Sequence, residues 1–203
     1  MIIEFFGVPG AGKTSGARYL SSELGIPFIK GGEDRVWDAV AYIINHPLKA
    51  SFFFLVATRQ TLHSETWPLF RWRTNTILGT LALLHRATSQ KSDTIVDEGL
   101  LQRVLSVYEE PLTEERSAKI VKFLSPEFVV YISDTKREFQ RYNDSAHPRQ
   151  RFGDEYMDRW KATVRKNTKL LYQALLKEGI PHIVTDDSHS PRFVEAMRLG
   201  SPR

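Results

Sequence analysis

The fold is decided by Ile2-Ile3-Glu4-Phe5-Phe6, followed by Gly7-Val8-Pro9-Gly10-Ala11-Gly12-Lys13-Thr14 and a helically spaced run that ends at Leu24. The first run is β-rich and stops at Gly7. The second matches G-x-x-x-x-G-K-[ST] at every fixed position, with a strand before it and a helix after it. Such a loop wraps backbone N–H groups around phosphate oxygens, and its glycines permit positive φ and close approach. Lys13 would reach the β- and γ-phosphates as a point charge, and the Thr14 hydroxyl would meet Mg²⁺. The helix N-terminus adds its positive dipole end. Gly7, Pro9, Gly10, Ala11, Gly12, Lys13, Thr14 and Ser15 form the expected nucleotide-binding set. The string speaks for a bound nucleoside triphosphate and says nothing of what is done with it.

Working outward, Gly25 fits a helix C′ position and Pro27 stops any continuation. Thr94-Ile95-Val96, residues 128–132 and residues 182–185 read as buried parallel strands, with 26–29 as a weaker candidate. Long helical patterns separate them. In 156–176 the apolar residues Tyr156, Trp160, Val164, Leu171 and Leu175 fall on one face. Thr113 is a candidate N-cap, with Glu114 and Glu115 in the first turn. This alternation implies an α/β chain of parallel βαβ units with right-handed crossovers. Residues 31–64 and 143–153 yield no element. The second stretch is polar, holds Pro148 and Gly153, and reads as a mobile loop between two helices.

The whole chain, 1–203, is expected to be one domain. Hydrophobic residues make up 41% and charged residues 26%, as in a globular protein with a full core. The absence of cysteine excludes disulfides, thiolate catalysis and cysteine-ligated zinc. A net charge of +4 suits an anionic substrate and is too small to assert nucleic-acid binding. The N-terminal run carries Glu4 and no basic stretch, unlike a secretory signal, and no apolar run approaches a membrane span. A soluble, cytoplasmic protein is expected. The six histidines lack metal-ligand spacing.

Three features beyond the loop carry chemistry. Thr94-Ile95-Val96 runs into Asp97-Glu98-Gly99, and a carboxylate at the tip of a strand lies where open α/β sheets bind ligands. Asp97 would hold a magnesium-bound water or take a proton from an attacking hydroxyl, with Glu98 its rival as base. A solvated turn capping a helix at 100–108 is the competing interpretation. After the fourth strand come Arg137, Arg141, Arg149 and Arg151. Arginines on a closing loop would neutralise charge on the transferring phosphoryl group and exclude water. Ordinary basic surface competes with that role. Between the second and third strands, Trp67, Phe70, Arg71, Trp72 and Arg73 form a basic-aromatic cluster. Arg71 or Arg73 would pair with an acceptor anion, unless this is an amphipathic helix with core aromatics and snorkelling arginines. Gln102 would also face the acceptor.

In this order the features resemble the nucleoside- and nucleotide-kinase branch of phosphate-loop proteins, which includes thymidylate and adenylate kinases. The loop at 7–14 follows that family without departure. The family's strand-tip motif, Asp-Arg-aromatic or Glu-Arg-Ser, corresponds to Asp97-Glu98-Gly99, so the carboxylate carries over and the arginine does not. The family's lid arginines map onto Arg141, Arg149 and Arg151. The resemblance implies a three-layer fold whose five-stranded parallel sheet has order 2-3-1-4-5 and helices on both faces. It also implies ATP with Mg²⁺ held by Thr14 and Asp97, a substrate wall of helices at 35–87, and a lid at 143–153. The expected function is transfer of the γ-phosphoryl group of ATP to a hydroxyl or phosphate acceptor that is nucleoside, nucleotide or sugar-like. Lys13, Asp97, Glu98, Arg141, Arg149 and Arg151 would carry catalysis, and Arg71, Arg73 and Gln102 would bind the acceptor. A homodimer is compatible with this scheme. A polynucleotide 5′-kinase and a non-catalytic ATP-binding regulatory module are the alternatives. A GTPase is disfavoured because no N-K-x-D string is present.

Overall fold

Every residue of β1 (Ile2–Gly7) is buried, which in a parallel sheet marks the centre. The computed structural model describes residues 1–30, 36–62, 67–96, 98–133, 139 and 153–200. In it β1 lies between β3 (Thr94–Val96) and β4 (Phe128–Ile132). β2 (Phe28–Ile29) pairs with β3, and β5 (His182–Thr185) pairs with β4. All four pairings are parallel and the order is 2-3-1-4-5, as the resemblance implied.

Alternation along β1 divides the core in two. Ile3 and Phe5 pack with Ala17 and Leu20 of α1 (Lys13–Leu24), and with Phe193 and Val194 of α8 (Pro191–Gly200). Ile2 and Phe6 face the thicker layer, built from α2 (Val36–Asn45), α3 (Pro47–Leu62), α4 (Trp67–Thr88), α5 (Leu100–Val107), α6 (Glu114–Leu124) and α7 (Asp154–Lys177). Phe53, Leu81, Leu101, Leu105, Ile120 and Leu171 are among the residues they meet there. Helices thus cover both faces.

Local chemistry sets the ends of these elements. Gly25 closes α1 in the left-handed conformation, and the Thr113 side chain accepts a hydrogen bond from the N–H of Arg116 at 3.2 Å at the head of α6. Tyr156, Trp160, Val164, Leu171 and Leu175 are all buried along one face of α7. The stretch 31–64, which yielded no element from sequence, contains the whole of α2 and α3. The reason is physical: Phe52, Phe53, Phe54, Leu55, Val56 and Ala57 are apolar on every side of α3, so no stripe stands out. Among the described residues no single helix is long and apolar enough to cross a membrane.

Candidate nucleotide site and its acceptor side

Between β1 and α1 the chain turns through Gly10 and Gly12, with φ of +90° and +87°, values that strain any residue bearing a Cβ. Gly12 is the N-cap of α1 and has no side chain with which to cap the first turn. Ala11 N–H donates to the Val8 carbonyl at 3.2 Å. The Ser15 hydroxyl donates to the Gly12 carbonyl at 2.8 Å. The Lys13 ammonium folds back onto the loop and donates to the carbonyls of Gly7 and Val8, at 3.1 and 2.9 Å. It is only 7% exposed. Thr14 is half-buried and Ser15 is exposed; Pro9 and Ala11 are buried. The whole predicted loop set therefore converges at one point, the C-terminal tip of the central strand.

Beside this loop stands a carboxylate that the sequence analysis passed over. Glu4, in the middle of β1, is 1% exposed and accepts a hydrogen bond from the N–H of Gln102 at 2.8 Å. Burial pushes its pKa up from 4.5 to about 7, against the pull of the Gln102 and Leu101 N–H groups and of Arg103. Its carboxylate occupies the space where a Cβ on Gly99 would lie, so only glycine fits there. Gln102 is buried and returns a hydrogen bond, its side-chain oxygen accepting from Gly7 N–H at 3.1 Å. Gln102 thus touches the root of the phosphate loop. The signal was present in the sequence: a lone acid inside an apolar strand.

Glu98 forms an ion pair with Arg103 at 2.7 Å. Asp97, Arg141, Arg149 and Arg151, and residues 143–152 of the expected lid, lie outside the described residues. Phe139 is described, and no expectation from sequence singled it out. Its N–H donates to the Pro9 carbonyl at 2.8 Å, and its φ is +58°, an unusual value for an aromatic residue. The ring is buried with Val8 of the loop and with Tyr156, Met157, Trp160 and Val164 of α7. Phe139 is thereby fastened to the phosphate loop.

The basic-aromatic cluster is divided by helix geometry, because residues two apart on α4 point to opposite sides. Arg71 is exposed, and Trp67, 71% exposed, stacks on Phe70. Arg73 is 2% exposed and forms an ion pair with Glu109. Tyr156 donates its hydroxyl to the same Glu109 oxygen at 2.7 Å. The Glu109 side chain retains 23% exposure. Three separate elements thus meet in one polar cluster: α4, the connection after α5, and the head of α7. Just past β5 the Thr185 hydroxyl donates to the Asp187 carbonyl at 2.9 Å. Ser188 is buried and lies against Gly16 of α1. A groove of about 790 Å³ between α6 and α7, with Lys119, Lys122 and Lys177 among its lining residues, contains none of these groups.

No protein-family model matches the sequence, and no curated protein matches it. Among solved structures, the chain is similar to the deoxyadenosine kinase of M. mycoides with bound dATP. The identity is 20% and the TM-score 0.54, over 99% of this chain and 100% of that one. The same enzyme with dCTP gives 18% identity and a TM-score of 0.50, over 98% and 97%. The likeness is one of fold, and it runs through nearly the whole chain.

Proposed function

We propose that the protein is a phosphotransferase that moves the γ-phosphoryl group of ATP to the hydroxyl or phosphate of a small acceptor, which is nucleoside, nucleotide or sugar-like. The observation that carries this is the form of the loop at 7–14. Two left-handed glycines, an uncapped helix N-terminus and an ammonium held by loop carbonyls make a cradle with the charge and donors that a triphosphate needs. Lys13 exchanges its two carbonyl acceptors for phosphate oxygens. Mg²⁺ asks for few protein ligands beside the phosphates, and the half-buried Thr14 hydroxyl in the first turn of α1 and Asp97 are the groups that would hold it. When bound, the ion neutralises phosphate charge. Asp97 takes the acceptor proton, a role supported by the engagement of its rival Glu98 with Arg103. Arg141, Arg149 and Arg151 balance charge on the equatorial oxygens.

On the acceptor side, Arg73 works through Glu109. With its guanidinium committed to that carboxylate, Arg73 orients it, and the partly exposed Glu109 accepts hydrogen bonds from acceptor hydroxyls. Arg71, open to solvent, is left to meet an acceptor anion. Gln102 is a support of the loop.

The test is transfer of label from [γ-³²P]ATP across a panel of acceptors. Deoxynucleosides stand first, because the fold is that of a deoxyadenosine kinase; ribonucleosides, their monophosphates, sugars and a 5′-hydroxyl oligonucleotide follow. Label should appear on one small-molecule class. ATP binding without transfer to any member would sink the catalytic proposal in favour of a regulatory module, and label on the oligonucleotide alone would turn it toward a polynucleotide kinase.

A further inference from the structure

Glu4 is a costly residue for its place. It sits between Val96 of β3 and Val129 of β4 in the sheet register, and its neighbours on the same face of the strand, Ile2 and Phe6, belong to the apolar core. A leucine or valine at this position would bury without desolvating a charge. Where the carboxylate is spent is therefore informative. The N-cap of α5 is Gly99, which has no side chain to offer the first-turn N–H groups. Such groups need an acceptor when buried, and Glu4 supplies it from another element, through the N–H groups of Gln102 and Leu101. Three residues along the same strand, Gly7 N–H donates to the Gln102 side chain. The result is a closed ring that leaves β1 at Glu4, passes through the first turn of α5, and returns to β1 where the strand becomes the phosphate loop.

We propose that Glu4 is a positioning residue, which caps α5 from within the sheet and so sets the height of Gln102 and, through it, the entry of the phosphate loop at Gly7. The same cap fixes Gly99 and therefore the acidic corner that precedes α5. The charged groups facing Glu4 are Arg103 on α5, which favours its ionised form, and Glu98 on the corner, which opposes it. These two are paired with each other, so the direction of the carboxylate is set by the N–H groups it accepts from. The role in catalysis rests on the assignment of ATP to the loop; the mechanical link does not.

The test is site-resolved amide hydrogen exchange on the full chain, in wild type and in Glu4→Ala, Glu4→Gln and Gln102→Ala. In Glu4→Ala, exchange at Leu101, Gln102 and Gly7 should rise at least tenfold more than at Val129–Ile132 of β4. Glu4→Gln, which keeps an acceptor oxygen, should restore most of the protection. Gln102→Ala should expose Gly7 and leave the first turn of α5 protected. Equilibrium dialysis with labelled ATP should show weaker binding in Glu4→Ala and near wild-type binding in Glu4→Gln. Gly7 exchange that rises no more than that of β4, or that ignores Gln102→Ala, would overturn the proposal. If Glu4→Ala does not fold, Glu4→Gln set against Gln102→Ala decides in its place: protection kept at Gly7 in the first and lost in the second supports the link, and equal protection in both overturns it. Wild-type protein that fails to bind ATP would instead defeat the nucleotide assignment, with the exchange results still deciding the link.

Discussion

The proposed nucleotide side and the proposed acceptor side of this molecule are made in different ways. The phosphate loop draws on eight consecutive residues, 7–14, and backbone groups do much of its work. The proposed acceptor side draws on Arg73, Glu109 and Tyr156, side chains from three elements far apart in the chain. A cradle of backbone N–H groups recognises what all nucleoside triphosphates share, so one short string can encode it. Recognition of one acceptor among many needs side chains converging from several directions, and tertiary packing decides which ones meet.

The comparison breaks first if Lys13 is dispensable. Lys13→Ala should lower phosphoryl transfer by at least about 10²-fold, the scale for losing one electrostatic contact to a reacting group. Unfolding curves should move far less than turnover, since the ammonium donates to carbonyls of its own loop. A variant that keeps wild-type turnover would leave the loop as mere structure.

Second in size is a pH effect centred on Glu4. Its pKa is raised from 4.5 to about 7 by burial, so between those values the folded chain binds more protons than the unfolded one. Stability should therefore fall as pH rises through that window, by about 3 kcal/mol from this group, and be flat in this respect above it. Urea unfolding from pH 4 to 8 measures this. Glu4→Gln should lose the slope and be the more stable protein at pH 8.

The acceptor side should show a smaller loss of stability. Glu109→Gln removes the Glu109 carboxylate from beside the buried guanidinium of Arg73, and breaking a fully buried pair costs about 3–5 kcal/mol. Glu109 is partly open to water, so the expected loss is about 2 kcal/mol. Arg73→Met should cost less, and in a double-mutant cycle the two changes should couple by more than about 0.5 kcal/mol. Additive effects would mean that Arg73 and Glu109 act separately.

How much of this was legible in the sequence follows the same division. The β1–loop–α1 unit could be read because its strand, glycines and helix are contiguous, and the alternation of apolar runs with helical patterns gave the class of fold. β2 is two residues long, too short for any period to register, and α3 hides its buried face among apolar neighbours. Arg71 and Arg73 looked like one cluster until the helix turned one outward and the other inward. Glu4 announced itself as an acid in an apolar strand, yet its partner Gln102 lies 98 residues away. Local pattern cannot supply such a pairing, because it arises only when β1 and α5 are packed together.

The fastening of Phe139 to Pro9 has a statistical consequence. Phe139 packs with Tyr156, Met157 and Trp160 at the head of α7, so Phe139 and Tyr156, 17 positions apart in the sequence, share one small cluster. The entropy of closing the chain between them is spent during folding, before any ligand arrives.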